Sequence, residues 1–279
     1  MSEISIGTSG WSYKEWEGVF YPKGEKSKLT FYSKYYKTVE IDSTFYAYPK
    51  SGLVHGLARF TPEDFVFSAK LPKLITHDKK LELGKGIKKD LLKFLDLMKP
   101  LLEKRKMGPL LIQLPPSFTY GTGFDKLKAF FGVLPTDLSF AVEFRNKSWL
   151  RAETWELLTK NNVANTIVDE PLLPPDPVVT ADFAFVRWHG HGERPWYNYR
   201  YDDKELKPWA GKLGEIGAKT KKVYGYFNNH FHGFAIENSL KTLAMIGKAT
   251  PEDETMLESV RKYLAKPQPP RPDAQATLA

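Results

Sequence analysis

The sequence predicts an α/β protein, a TIM-type (β/α)8 barrel forming one domain over residues 1–265, on three observations. Eight short segments show strand-like period-two patterning, and nearly every one leads into helical spacing. The chain length of 279 residues is close to the roughly 250 typical of such barrels. The non-apolar face of most of these segments ends in a charge, an amide or an imidazole, at the rim where barrel enzymes gather reacting groups.

In chain order, Ile4, Ile6 and Thr8 alternate with Ser5, Gly7 and Ser9, then give way to an aromatic loop through Tyr21-Pro22. A helix follows over 26–36. Residues 39–46 read as a second strand with Glu40 and Asp42 on one face. Ser51 is placed to cap a helix reaching Phe60, and 65–70 forms a strand ending in Lys70. After a loop over 71–77, Ile87, Leu91, Leu92, Leu95, Met98 and Leu102 have helical spacing, and Gly108-Pro109 stops that helix. Residues 110–114 form a strand carrying Gln113, and 124–131 a short helix.

Phe140, Val142 and Phe144 alternate with Ala141, Glu143 and Arg145, so one strand face carries a carboxylate and a guanidinium. A helix over 151–160 leads to a strand over 163–169, read with Asn165, Ile167 and Asp169 on its polar face. Pro171, Pro174, Pro175 and Pro177 forbid a regular helix after this sixth strand. Phe183, Phe185, Arg187 and His189 share a face of the seventh strand, which enters an aromatic and basic loop over 190–201. A helix over 203–219, a strand over 223–229 carrying Asn228 and Asn229, a helix over 235–247 and one opening at Pro251 complete the barrel. A proline-rich tail follows over 266–279, expected to be flexible.

Composition narrows the function classes. The chain is 42% hydrophobic and 14% aromatic, enough for a sizeable core. A net charge of +8 admits an anionic partner, although many lysines fall in the helical stretch Lys79 to Lys106, where solvation explains them. The absence of cysteine excludes disulfides, thiolate metal sites and a cysteine nucleophile. Met1 to Gly7 lacks signal-peptide character and no run of about 18 apolar residues occurs, so a cytoplasmic location without a membrane partner is expected.

The chain also resembles the YecE-like proteins, the domain-of-unknown-function 72 family. The motifs are Gly7-Thr8-Ser9-Gly10-Trp11-Ser12-Tyr13, Glu40-Ile41-Asp42-Ser43-Thr44-Phe45-Tyr46, Phe67-Ser68-Ala69-Lys70, Thr76-His77 and Gln113-Leu114-Pro115-Pro116-Ser117-Phe118. Glu143-Phe144-Arg145 with Ser148-Trp149, Asp169-Glu170-Pro171, Arg187-Trp188-His189-Gly190 and Tyr226-Phe227-Asn228-Asn229 continue the set. The resemblance implies a TIM-type barrel similar to apurinic endonuclease IV and xylose-isomerase-like barrels, and by itself implies no activity. Asp42 departs from the asparagine expected there. Ile236-Glu237-Asn238 departs from a proline-containing turn.

Glu143 with Asp42 or Glu40 offers carboxylates for acid and base work, and equally a buried network neutralising Arg145 and Lys70. Lys70, Arg145 and Arg187 could form a pocket for a phosphate or carboxylate. His189, His191, His230 and His232 have strand-end metal spacing, but no metal or other cofactor is required. Trp11, Tyr13, Tyr46, Trp149 and Trp196, with Lys147, Arg151, Arg194 and Arg200, suggest rim loops that stack on bases or sugars. Two glycine-bearing stretches, over 84–86 and 120–123, are turns, and no nucleophile elbow is present.

The favoured expectation is an enzyme of hydrolase or lyase type acting on a phosphorylated or nucleic-acid-derived anionic substrate at the barrel mouth. Glu143 is its base and His189 its acid, with Asp42 and Asp169 as further catalytic carboxylates. Lys70, Arg145 and Arg187 clamp the anion, and Glu40, Gln113, Asn228 and Asn229 orient it. The alternative is a non-catalytic nucleic-acid-binding barrel using the aromatic and basic rim loops.

Overall fold

The computed structural model describes residues 2–193 and 195–266. Its strands are β1 (Glu3–Thr8), β2 (Thr38–Ile41), β3 (Val66–Lys70), β4 (Met107–Gln113), β5 (Phe140–Glu143), β6 (Ala164–Asp169), β7 (Phe183–Trp188) and β8 (Lys222–Phe227). They pair in parallel in the order β1-β8-β7-β6-β5-β4-β3-β2. The helices are α1 (Lys28–Tyr32), α2 (Ser51–Arg59), α3 (Ile87–Glu103), α4 (Tyr120–Phe131), α5 (Ala152–Lys160), α6 (Asp203–Ala218), α7 (Phe234–Met245) and α8 (Pro251–Leu264). This is the expected (β/α)8 barrel. None of the described helices is long and apolar enough to cross a membrane. Arg194 and the tail beyond Lys266 lie outside the described residues.

Several boundaries differ from expectation for local reasons. α1 is only five residues long, and Ser51 is its helix's first residue rather than a side-chain cap. β2 stops at Ile41, because Ser43–Phe45 turns as a short 3-10 helix. β4 begins before Pro109, whose missing N–H is tolerated near a strand start. Residues 170–182 hold no helix, as the four prolines require, and the Thr180 hydroxyl ties this stretch down. It accepts the Asn165 N–H at 2.7 Å and donates to the Val163 carbonyl at 2.7 Å.

Apolar side chains fill the lower barrel: Leu111, Ala141, Ala164, Phe183, Phe185 and Tyr226 form one buried cluster. The Tyr226 hydroxyl reaches Thr38 Oγ1 at 2.7 Å and Ser68 Oγ at 2.8 Å, so the interior turns polar toward β2 and β3. The larger core lies between strands and helices and contains Ile6, Val39, Phe67, Val142, Ile167 and Trp188.

β1 and β2 complete the ring without a regular ladder. Ser9 and Glu40 form an isolated parallel bridge, and the Gly10 N–H donates to the Glu40 carbonyl at 2.8 Å. Below them the Tyr32 hydroxyl sits in the seam, accepting the Thr8 N–H at 3.0 Å and lying 3.2 Å from the Thr38 carbonyl oxygen. Gly7 is required here because a Cβ at that position would lie 2.3 Å from the Thr38 oxygen.

Candidate active site at the barrel mouth

Pairing register fixes which side chains enter the barrel, since residues paired across parallel strands share a face. Glu40 pairs with Ser68, Lys70 with Leu111, Gln113 with Glu143, and Arg187 with both Val168 and Tyr226. Six expected inward residues, Glu40, Lys70, Gln113, Glu143, Arg187 and His189, are thereby on the interior face at the C-terminal strand ends.

Two expected site residues are not. Thr166 and Val168 pair with the inward Phe185 and Arg187, so Asp169, paired with Trp188, faces the helix layer. There its Oδ2 accepts the Trp209 indole N–H at 2.7 Å. Hydrophobic residues on both faces of β6 hide its alternation, and a one-residue slip inverts every assignment. Asn229 likewise leaves the interior: its amide donates to the Tyr199 carbonyl and to Asn238 Oδ1, both at 2.8 Å. It anchors a loop rather than orienting a substrate, while Asn228 reaches His189 Nδ1 at 3.0 Å.

Arg187 is the hub. Its Nη2 donates to Glu40 Oε2 at 2.8 Å and its Nη1 to Glu143 Oε2 at 2.7 Å, with all three side chains fully buried. Ser9 Oγ also donates to Glu40. Arg145 joins the second oxygen of Glu143 and donates through Nη1 to Glu170 Oε2 at 2.5 Å. On the other wall, Lys70 Nζ pairs with Asp42 Oδ1 at 2.5 Å.

The three expected anion-clamping cations therefore converge already paired with Glu40, Asp42, Glu143 and Glu170. Arg145 retains 15% exposure and Asp42 26%, which makes them the more accessible members.

The electrostatics assign different states to these groups. Burial alone would raise the Glu143 pKa, but Arg145 and Arg187 overcome it and hold the carboxyl well below the usual range. An ion so stabilised is a poor base. Burial and the adjacent Arg145 and Arg187 hold His189 at about 3, so it is neutral at pH 7 and unsuited to the acid role. Its Nε2 lies 3.2 Å from Arg145 Nη2 and 3.3 Å from Arg187 Nη1. The same Nε2 lies 3.5 Å from Glu143 Oε1, and Nδ1 faces the Asn228 amide nitrogen at 3.0 Å, so the imidazole meets polar groups on both edges.

Glu170 is the residue that sequence reasoning misses. It is the inward neighbour of Asp169 and is buried, with Oε1 lacking a hydrogen-bond partner among the described residues. Burial raises its pKa, Arg145 counteracts this, and Glu143 adds to the rise. The Asp169-Glu170-Pro171 motif contained it, and correct strand parity was the signal needed.

The aromatic residues divide. Trp149 is fully buried, stacks on Phe144 at 4.7 Å and donates its indole N–H to the Phe118 carbonyl at 2.7 Å. It is core, not an exposed stacking surface. Trp11 packs edge-on against Phe67, whereas Tyr13 and Tyr197 sandwich His230 at 4.3 and 5.4 Å. Tyr46 is 48% exposed, and Trp196 is half-buried in the loop before Tyr197. Among the basic rim residues, Arg200 is held by both oxygens of Glu237, and Arg151 lies 4.1 Å over the Tyr120 ring. No group of three or more His, Asp or Glu suited to a metal ion occurs among the described residues.

Eight parallel strands, their surrounding helices and the buried ion network beneath the C-terminal rim define a TIM-barrel protein with a polar mouth. The chain belongs to the family described as protein of unknown function DUF72, whose model matches residues 5–260. It is 27% identical over 268 residues to the UPF0759 protein YunF of Bacillus subtilis, covering 87% of this chain and 94% of YunF. It is 28% identical over 181 residues to the UPF0759 protein YecE of Escherichia coli K12, covering 64% of this chain and 61% of YecE. The crystal structure of a DUF72 family protein from Thermotoga maritima superposes with a TM-score of 0.81 at 33% identity, covering 88% of this chain and 99% of that one.

Proposed function

We propose that the protein is a cytoplasmic enzyme of hydrolase or lyase type whose proton donor at the barrel mouth is Glu170. The carrying observation is the position of this buried carboxyl, with a raised pKa, against the partly exposed Arg145. Acid catalysis favours a carboxyl that holds its proton more tightly than usual, the direction in which Glu170 is shifted and opposite to that of Glu143.

The substrate remains in the phosphorylated or nucleic-acid-derived anionic class, with a specific restriction. Lys70 and Arg187 are committed to carboxylates, so an anionic group is received at Arg145, where protonation of Glu170 releases a guanidinium edge. Nucleic-acid binding without catalysis loses support because Arg200, Arg151 and Trp149 are engaged within the fold.

The test is to incubate wild type and Glu170→Gln with a bacterial metabolite extract and follow depletion by mass spectrometry. A compound consumed by wild type and spared by Glu170→Gln is expected. Equal consumption by both proteins would remove Glu170 from the mechanism.

A further inference from the structure

Asp169 and His191 take no part in the acid step, yet together they have the geometry of an oriented base. Asp169 is buried, with Oδ2 fixed by the Trp209 indole at 2.7 Å and Oδ1 lying 2.5 Å from His191 Nε2. A carboxylate only accepts, so Nε2 carries the hydrogen and Nδ1 of the neutral ring keeps its lone pair. No hydrogen bond engages Nδ1 among the described residues, and the side chain is 38% exposed.

The ring has a defined seat. Tyr199 and Tyr201 meet it edge to face at 5.7 and 6.1 Å. Gly190, at φ +90°, turns the chain between the inward His189 and His191, and a Cβ there would lie 2.6 Å from Tyr199 Cβ. The His189 N–H donates to the Asp169 carbonyl at 2.9 Å, so His191 and Glu170 both follow directly from these two neighbouring strand ends. A loop histidine needed only for solubility requires neither a buried carboxylate nor an indole behind that carboxylate.

We propose that His191, held by Asp169, is the general base of the mouth and works opposite Glu170. The inference rests on the reading of Glu170 as the acid. In a hydrolysis, Nδ1 takes a proton from water as the water oxygen bonds to the electrophilic substrate atom. The bond to the leaving oxygen breaks, and that oxygen takes the Glu170 proton. The imidazolium then returns one proton through solvent to the Glu170 carboxylate, so one water is consumed and the enzyme is restored. Asp169 is a positioning residue: it fixes the tautomer and touches no substrate.

Two measurements test this. Ring 15N spectra of the neutral protein should show His191 as the Nε2–H tautomer, with that preference lost in Asp169→Asn, and diethyl pyrocarbonate should modify His191. An Nδ1–H tautomer, or a His191 that resists modification, overturns the proposal whatever the turnover. With the compound found by the Glu170→Gln comparison, His191→Gln should lower kcat by about 100-fold or more, leave KM nearly unchanged and erase one limb of the pH profile. Turnover that depends on Glu170 but survives His191→Gln refutes the base and leaves the acid standing. Turnover indifferent to both variants refutes the reading of the mouth.

Discussion

Asp169 and Glu170 are consecutive in the chain and face opposite sides of the barrel wall. Asp169 accepts the Trp209 indole N–H at 2.7 Å in the helix layer, whereas Glu170 accepts from Arg145 at 2.5 Å inside the mouth. Period-two geometry alone separates a residue that holds a helix and a loop from one that meets the site interior.

The two carboxyls should therefore respond differently to mutation. Asp169→Ala leaves the buried Trp209 N–H without its acceptor and should cost about 1–3 kcal/mol in urea unfolding. Glu170 has a folded pKa above its ordinary value, so its contribution is fully present below the unfolded pKa and is lost as pH rises through the folded one. Glu170→Gln removes that loss and should be at least as stable as wild type at pH 8. A clear destabilisation there would contradict the assigned direction of the shift.

Arg187 holds the floor of the mouth together. Its removal leaves Glu40 and Glu143 as buried carboxylates without their shared partner. Arg187→Ala should lose about 3–5 kcal/mol by urea unfolding, and adding Glu40→Gln should recover part of that. A loss below about 1 kcal/mol would show that the triad is not structural.

His189 makes stability depend on mildly acidic pH. Its folded pKa of about 3 lies below the ordinary 6.5, so the unfolded chain takes up a proton first as pH falls. Stability is present above the unfolded value and declines toward the folded one. Between pH 7 and pH 5 this group alone should remove about 2 kcal/mol. His77, lowered to about 4, and His230, also lowered, act in the same direction. The His189→Gln variant should consequently show a shallower pH slope over that interval, and an unchanged slope would mean that the imidazole is not held neutral.

The seam between β1 and β2 depends on one phenol. Tyr32→Phe removes the acceptor of the Thr8 N–H and should cost about 1–3 kcal/mol. Amide exchange at Thr8 should accelerate more than at Phe185, which lies within the β6–β7 ladder. Gly7→Ala should be more disruptive, because its Cβ would press on the Thr38 carbonyl. Equal exchange at Thr8 in wild type and Tyr32→Phe would deny the phenol this role.

The sequence by itself determined the barrel, the missing helix after the sixth strand and six of the inward polar positions. Those properties follow from local periodicity and from proline's lost donor, which act over a few residues. Tertiary structure decided the rest. β6 has hydrophobic residues on both faces, so only its hydrogen-bonded register with β7 sends Glu170 inward and Asp169 outward. A buried network neutralising Arg145 and Lys70 was legible, but its partners Asp42 for Lys70 and Glu170 for Arg145, and the loss of proton affinity at Glu143 and His189, were hidden. Charge state depends on burial and on neighbours that come from distant parts of the chain, and those neighbours meet only when the ring of strands closes.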